Sequence, residues 1–401
     1  MPGKPKLHSL PIVISCLLAL MLVAQGANSL AAKDLRRSMP FLRNMLMGGA
    51  GVALGDEATS MWYNPAGPAR LGANTIEAFT MQFSADEVTN NALRGEGSIG
   101  EQYDASSVAE LAQLVGTSNY SQLTMKIPMV VLPESGTAWG LAVDFLVDME
   151  LVELPGDFGV LLELYLDYQI VASRFTRFGN SLFLGAAFKV INRIGVNKTI
   201  DSATLYGADN EFDLENDTDV QEFFAGRSRT RVGLDLGLIF QLPGSGNWQT
   251  RFGLSVMNIG GYDSDTGLAG IEFGSRPSAG EPPIGGELPL NIALGFAVSP
   301  TYGNIRFTFA LDFVDLGEDA LSGDSLSNRT RIGMEIGFGP RKDGAPLFSL
   351  LGGWNATHFG GGFITRLSFM EIGMGSYTVE RGSAPDENPQ PRRVLLIGFR
   401  F

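Results

Sequence analysis

Residues that could do covalent chemistry are scarce in this 401-residue chain, which has one cysteine and two histidines. Cys16 and His8 lie in or beside an apolar N-terminal run, so His358, in a glycine-rich segment, is the only histidine outside it. Nucleophilic catalysis by serine or cysteine needs a base beside the nucleophile, and zinc sites draw on Cys and His. The composition therefore predicts a protein that is not an enzyme and that has no metal or cofactor.

One dense cluster of acidic residues suggests a calcium-binding loop. It lies within residues 201–222 and comprises Asp201, Asp209, Glu211, Asp213, Glu215, Asp217, Asp219 and Glu222. The Asp-x-Asp-x-Asp-Gly spacing of an EF-hand is missing, which favours a solvated outer loop instead. The net charge of −14 also argues against nucleic acid as a partner, because phosphates attract Lys and Arg.

The N-terminus has the pattern of a secretory signal peptide. Lys4 and Lys6 precede an apolar run over residues 10–24, and small residues follow through Ala31. The run is shorter than the roughly 20 apolar residues that a membrane-spanning helix needs. A lipoprotein signal at Cys16 is the alternative, but the apolar run continues beyond it. We expect residues 1–31 to be removed on export.

Strict period-two alternation marks the rest of the chain. Over residues 231–240 the apolar set is Val232, Leu234, Leu236, Leu238 and Phe240, and the intervening set is Arg, Gly, Asp, Gly and Ile. The same pattern reaches the last residue, Phe401. Alternation places one set on each face of a strand, and in a membrane barrel the apolar set faces lipid. We predict an all-β fold, a transmembrane antiparallel up-and-down β-barrel of about 14 strands.

The predicted strands lie near 74–83, 120–131, 138–147, 165–176, 181–191, 229–241, 248–257, 288–299, 304–313, 329–338, 347–354, 360–366, 368–377 and 393–401. Short links rich in Pro and Gly, at 133–136, 177–180, 243–247, 300–303 and 339–344, alternate with longer ones. Outer-membrane barrels pair short periplasmic turns with longer outside loops, which favours the outer membrane of a Gram-negative-type bacterium. Within the longer links, 107–115 is predicted to form an amphipathic helix, and 158–166 is unusually apolar for a loop.

Charged residues on the polar face of these strands are predicted to face the lumen. Pairing across the lumen is the expected role, since a buried unpaired charge is costly, and contact with a ligand is the alternative. The set is Asp144, Lys189, Arg231, Asp235, Arg251, Arg306, Asp312, Arg331, Glu335 and Arg400.

A glycine-rich block at 47–67 precedes the first strand. It does not keep the Gly-x-Gly-x-x-Gly spacing of a dinucleotide site, and no strand–helix unit surrounds it. It ends in the run Asn64, Pro65, Ala66 and Gly67.

This block resembles the N-terminal signature of the FadL/PorV superfamily of outer-membrane β-barrels, which includes the FadL- and TodX-type transporters. Residues 255–260, 288–290 and 329–335 resemble the PorV side of that group. The resemblance implies that residues 32–72 form an N-terminal plug segment in a barrel over 73–401, with Asn64, Pro65, Ala66 and Gly67 as its motif. Alternatively, these four residues only end the plug.

Two functions follow from the resemblance. One is passive uptake of hydrophobic small molecules across the outer membrane. The other is a non-transporting scaffold for secretion or surface attachment of partner proteins. The final strand ends in Phe399-Arg400-Phe401, which looks like the signal read by the barrel-assembly machinery. That machinery and the outer-membrane lipid are therefore predicted partners, beside a hydrophobic ligand or a secreted protein.

Overall fold

The chain forms a closed antiparallel barrel of fourteen strands in a computed structural model. The residues that the structure describes are 41–93, 118–154, 157–201, 228–243, 247–259, 290–316, 329–340, 345–355, 358–380 and 389–401. The predicted signal peptide, the helix predicted at 107–115 and nearly all of the acidic cluster at 201–222 lie outside these residues.

Each strand pairs with its neighbours in sequence, and β1 pairs with β14 to close the barrel. The strands are β1 (Thr75–Asp86), β2 (Ser118–Leu132), β3 (Thr137–Leu154), β4 (Asp157–Phe178), β5 (Leu182–Asp201), β6 (Ser228–Gln241), β7 (Trp248–Ile259), β8 (Asn291–Tyr302), β9 (Ile305–Phe313), β10 (Thr330–Pro340), β11 (Pro346–Asn355), β12 (His358–Leu367), β13 (Met370–Glu380) and β14 (Pro389–Arg400). This up-and-down order confirms the predicted fold class.

The predicted alternation separates two faces of the wall. On β6, Leu234 and Leu236 are exposed outward, whereas Asp235 between them is completely buried. The same pattern holds on β7, where Phe252 is 45% exposed and Arg251 is 1% exposed. Exposed apolar residues outside and buried polar residues inside are the arrangement of a transmembrane β-barrel.

None of the helices in the described part of the chain has the length and apolar character needed to cross a membrane.

The connections differ between the two ends of the barrel. At one end, called here the turn end, tight turns join β2 to β3 at 133–136 and β8 to β9 at 303–304. Gly136 and Gly303 have φ of 67° and 58°, a conformation that glycine adopts without strain. Both β1 and β14 meet at this end, where Phe401 and Ile76 exchange backbone hydrogen bonds of 2.8 and 3.0 Å.

The prediction that the apolar stretch 158–166 lies in a loop was wrong. β3 continues to Leu154 and β4 begins at Asp157, so the apolar stretch at 158–166 belongs to a strand. Pairing runs without a break from Thr137↔Arg174 to Leu154↔Asp157. The run Val160-Leu161-Leu162 is apolar on both faces and therefore lacks the period-two signal, although backbone pairing extends the hairpin there.

The first described residues, 41–73, are called here the N-terminal segment. They contain helix α1 (Leu42–Leu46) and two 3₁₀ turns, Ala58–Trp62 and Gly67–Arg70. Most of their side chains are buried, and α1 contacts β11, β12, β13 and β14. A second short helix, α2 (Glu87–Leu93), follows β1 at the opposite end from the turns.

Candidate functional site: the N-terminal segment inside the barrel

Glycines on the inner wall let the N-terminal segment approach the strand backbones. A Cβ added at Gly185 would clash with the carbonyl of Pro65, and one at Gly353 would clash with the backbone of Gly48. A Cβ at Gly253 would lie 2.5 Å from the Val52 carbonyl oxygen. Real Cβ atoms are not found so close to other atoms, so only glycine allows this packing. Because β5, β7 and β11 lie on different sides of the lumen, the wall surrounds the segment.

Asn64 of the predicted motif makes several side-chain hydrogen bonds. Its Nδ2 donates to the carbonyl oxygens of Val52 at 2.8 Å, Leu238 at 3.1 Å and Leu254 at 3.3 Å, and its Oδ1 accepts from the Ala66 N–H at 3.0 Å. The side chain is 1% exposed. Asn64 thus joins the segment to itself and to β6 and β7.

A chain of buried ion pairs ties the segment to the wall. Arg43 contacts Asp56 at 2.7 Å within the segment and Glu335 of β10 at 2.5 Å. Glu57 contacts Arg366 of β12 at 2.8 Å. Salt bridges of this kind are strongly coupled, because removing one partner leaves the other charge buried.

The network extends to β9 and β13. Arg306 lies 3.4 Å from Asp56, and Arg366 lies 2.8 Å from Glu371. Burial would raise the pKa of the Asp56 carboxyl, but Arg43 and Arg306 hold that pKa well below its usual range. Burial also opposes the positive charge of Arg43, yet Asp56 and Glu335 keep its pKa above the ordinary value. Both groups therefore stay ionised at neutral pH.

Asp312 of β9 anchors the glycine block. Its Oδ2 accepts from the backbone N–H groups of Gly51 at 2.6 Å and Val52 at 2.8 Å. The side chain is completely buried. A carboxylate that accepts two backbone donors fixes the path of this part of the segment.

A second polar cluster surrounds a bulge in β7. Lys189 Nζ lies 2.8 Å from Asp235 Oδ2 and donates to Asn258 Oδ1 at 2.9 Å. The Asn258 N–H donates to Asp235 Oδ1 at 2.7 Å. Asn258 has φ of 58°, and the pairing of β6 with β7 shifts register between Leu234 and Leu236. Asp235 thus replaces ladder hydrogen bonds that the bulge removes.

The wall of β2 to β5 carries a third cluster. Asp144 accepts from Gln122 at 2.9 Å and from Thr124 at 2.7 Å. Arg193 donates to Asp167 at 2.6 Å through Nε, and its guanidinium carbon lies 4.7 Å from the centre of the Tyr165 ring.

The structure places the ten predicted lumen charges as follows. Glu335, Arg306 and Asp312 contact the N-terminal segment directly, and Arg251 reaches the Leu54 carbonyl oxygen at 3.3 Å. Three others belong to the wall clusters just described, namely Asp144, Lys189 and Asp235. Arg331 and Arg400 are buried, and Arg231 is half-buried.

Sequence reasoning missed several members of the network. Arg43, Asp56 and Glu57 lie in the segment, where no alternation marks a buried face. Arg366 and Arg193 are on strands and share the inward parity of their neighbours, so a strict parity search over the full strand lengths would have found them. Within the residues described, no group of three or more His, Cys, Asp or Glu side chains is placed to hold a metal ion.

Comparison with known proteins finds barrels of similar extent at low identity. The toluene transporter TbuX of Ralstonia pickettii is 14% identical, with 92% of this chain and 98% of that chain covered and a TM-score of 0.45. The toluene transporter TodX of Pseudomonas putida is 9% identical over the same shares, also with a TM-score of 0.45. The monoaromatic hydrocarbon channel CymD is 12% identical, with 89% and 96% covered and a TM-score of 0.44. No family model matches the chain, and no curated protein matches it.

Proposed function

We propose that the protein is an outer-membrane barrel for passive uptake of hydrophobic small molecules, with the N-terminal segment as its plug and no covalent chemistry. The observation that carries the proposal is the tight packing of that segment against the inner wall. Glycines on β5, β7 and β11 accept its backbone, and buried ion pairs hold it to β9, β10 and β12. A barrel of this size would otherwise enclose a wide lumen.

An occupied lumen favours apolar over polar solutes. A polar solute needs a continuous aqueous path, whereas an apolar solute gains free energy by leaving water for protein pockets and membrane. The signal peptide at 1–31 and the aromatic C-terminus support export and insertion by the barrel-assembly machinery. Neighbours in fold are named as hydrocarbon channels, and the motif at 47–67 resembles the same superfamily.

Uptake of labelled toluene and of a labelled long-chain fatty acid into proteoliposomes tests the proposal. Vesicles with the intact barrel should take up at least one of them faster than empty vesicles, while a trapped polar dye should not leak. A variant lacking residues 41–72 should leak the dye, since the segment is proposed to close the lumen. A folded barrel that transports neither compound would contradict the proposal.

A scaffold for partner proteins is the second candidate, favoured by the outer surface of β4. Outward side chains of this strand stay apolar from Ala172 up to Val160, about 40 Å along the strand at roughly 3.3 Å per residue. On β6 the corresponding stretch from Phe240 to Val232 is about 26 Å by the same rise. Strands of such barrels are tilted by about 35–45°, so these lengths correspond to heights of about 30 Å on β4 and about 20 Å on β6. The apolar band is about 25 Å tall, so the face on β4 continues beyond the lipid.

Crosslinking in the native membrane distinguishes the two candidates. One photoreactive residue replaces Leu162, on the part of this face far from the turn end. Another replaces Phe252, within the apolar band on β7. A single protein captured at Leu162 but not at Phe252, in a barrel without transport activity, would favour the scaffold.

A further inference from the structure

Two arginines, Arg70 and Arg251, lie near the turn end of the lumen. Arg70 belongs to the N-terminal segment, and Arg251 of β7 is 1% exposed. Among the described residues, no carboxylate lies within ion-pair distance of either one. Their neighbours Arg43, Arg306 and Arg366 each contact at least one carboxylate.

Both guanidinium groups converge on one neutral acceptor. Arg70 Nη1 and Arg251 Nη1 donate to the carbonyl oxygen of Leu54, the second at 3.3 Å. Arg251 also donates to the Ser299 hydroxyl. The Nε of each arginine is buried and has no hydrogen-bond partner in the part of the chain that the structure describes. Two cations that share a carbonyl oxygen repel each other, and the site still has unused donors.

Burial without a counter-charge is unfavourable for both side chains. Desolvation lowers the pKa of Arg70 to about 10, and only Asp56 among its neighbours raises it. A buried cation is normally paired with an anion, because the loss of hydration is otherwise not offset. Among the described residues, Arg70 and Arg251 therefore have no counter-charge within ion-pair distance.

The Arg70 side of the site is accessible to solution at the turn end. Arg70 also donates to Gln241 at 3.3 Å and to Gln249 at 3.4 Å. Gln249 is exposed, and Arg70 and Gln241 are half-buried. β6 ends at Gln241 and β7 begins at Trp248, so these side chains lie at the rim. A small solute can reach Arg70 from this rim.

We propose that Arg70 and Arg251 form a binding site for an oxyanion, a carboxylate or a phosphate, at the turn end of the lumen. A guanidinium group binds such oxyanions through two parallel N–H donors, and a bridging anion offsets the repulsion between two arginines. The anion holds the end of the N-terminal segment to β7. This site is independent of the proposed uptake and stands even if uptake is absent.

Thermal unfolding of the full chain in dodecyl maltoside tests the site, with phosphate titrated at constant ionic strength. The unfolding midpoint of the wild type should rise and then saturate. Arg251→Met should abolish the rise, and its midpoint should be the same with and without phosphate. Arg177→Met is the matched control, since Arg177 is an exposed arginine at the same end, and it should keep the full response.

Laurate and dodecanol separate a free anion from the head group of an amphiphile. Stabilisation by laurate alone, lost in Arg251→Met, assigns the site to the carboxylate of an amphiphile, with binding about 10-fold weaker in the variant from the loss of a charged hydrogen bond. Equal effects of laurate and dodecanol with no response to phosphate would overturn the proposal, as would no stabilisation by any of the three. Arg70→Met repeats the test should Arg251→Met fail to fold.

Discussion

Arg43 and Glu335 are 292 positions apart in sequence, yet Arg43 Nη2 lies 2.5 Å from Glu335 Oε2 in a buried ion pair. This contact joins α1 to β10, and Asp56 completes it from within the segment. The pair therefore links the stability of the wall to the position of the N-terminal segment.

Breaking this pair should destabilise the barrel strongly. Glu335→Gln leaves Arg43 with less counter-charge in a buried place, and we expect a loss of about 3–5 kcal/mol in the free energy of unfolding. Urea unfolding of the barrel in lipid vesicles measures it. Glu87→Gln is the control, because its 3.9 Å pair with Arg393 is exposed and should be worth about 0–1 kcal/mol. Equal losses would show that burial does not set the cost.

Adding a methyl group to Gly237 should displace the N-terminal segment. Its Cβ would clash with Asn64 Oδ1, so Gly237→Ala forces the motif away from β6 at about 1–3 kcal/mol. Protease digestion of residues 41–73 from the turn end should become faster. Gly352→Ala, whose Cβ would lie 4.0 Å from the Gly360 carbonyl oxygen in ordinary contact, should leave digestion unchanged.

Acid should weaken the attachment of the segment through Asp56. Its pKa in the folded protein lies well below the ordinary value of 3.8, so the folded state favours the ionised carboxylate. The contribution is complete above that ordinary value and is lost as pH falls through the folded pKa. The stability difference between wild type and Asp56→Asn should thus be constant from pH 7 to pH 5 and shrink below pH 4. A stability difference that grows on acidification would contradict the lowered pKa of Asp56.

A charge on the lipid face should destabilise the barrel more, the deeper it lies in the membrane. Leu236 is 43% exposed near the middle of β6, and Leu236→Arg should cost about 2–4 kcal/mol in lipid. Leu242 has the same parity just beyond the turn end of the strand, so Leu242→Arg should cost about 0–1 kcal/mol. Chemical unfolding in vesicles compares them, and equal costs would place the membrane elsewhere.

Removal of the last residue should impair assembly. Phe401 closes the seam through backbone hydrogen bonds with Ile76, while its side chain is 70% exposed. Deleting it removes both features, whereas Phe401→Ala keeps the backbone bonds. The amount of heat-modifiable barrel in the outer membrane should fall in both variants if the aromatic ring is read by the assembly machinery. A fall in the deletion alone would assign the effect to the seam.

The strands of the wall can be predicted from sequence more fully than the contacts of the N-terminal segment inside it. Strands such as β10 alternate cleanly because one face meets lipid and the other the lumen, and each strand carries that signal by itself. The extension of β4 past Tyr165 carries a weaker signal, because Leu161 puts an apolar residue on the same face as Glu163 and so interrupts the alternation. The pairing of Arg43 with Glu335 depends on where a non-repetitive segment lies inside a closed wall. Local sequence carries no information on that placement.

Enclosure of the N-terminal segment constrains the order of assembly. The segment contacts strands all around the wall, and it leads directly into β1, whose partner across the seam is the last strand of the chain. Once β1 and β14 have paired, no lateral route leads inside. The segment must therefore be surrounded while the wall is still an open sheet, or else be threaded through one end. Variants in which the N-terminal segment is held less tightly should therefore accumulate closed barrels whose lumen is empty.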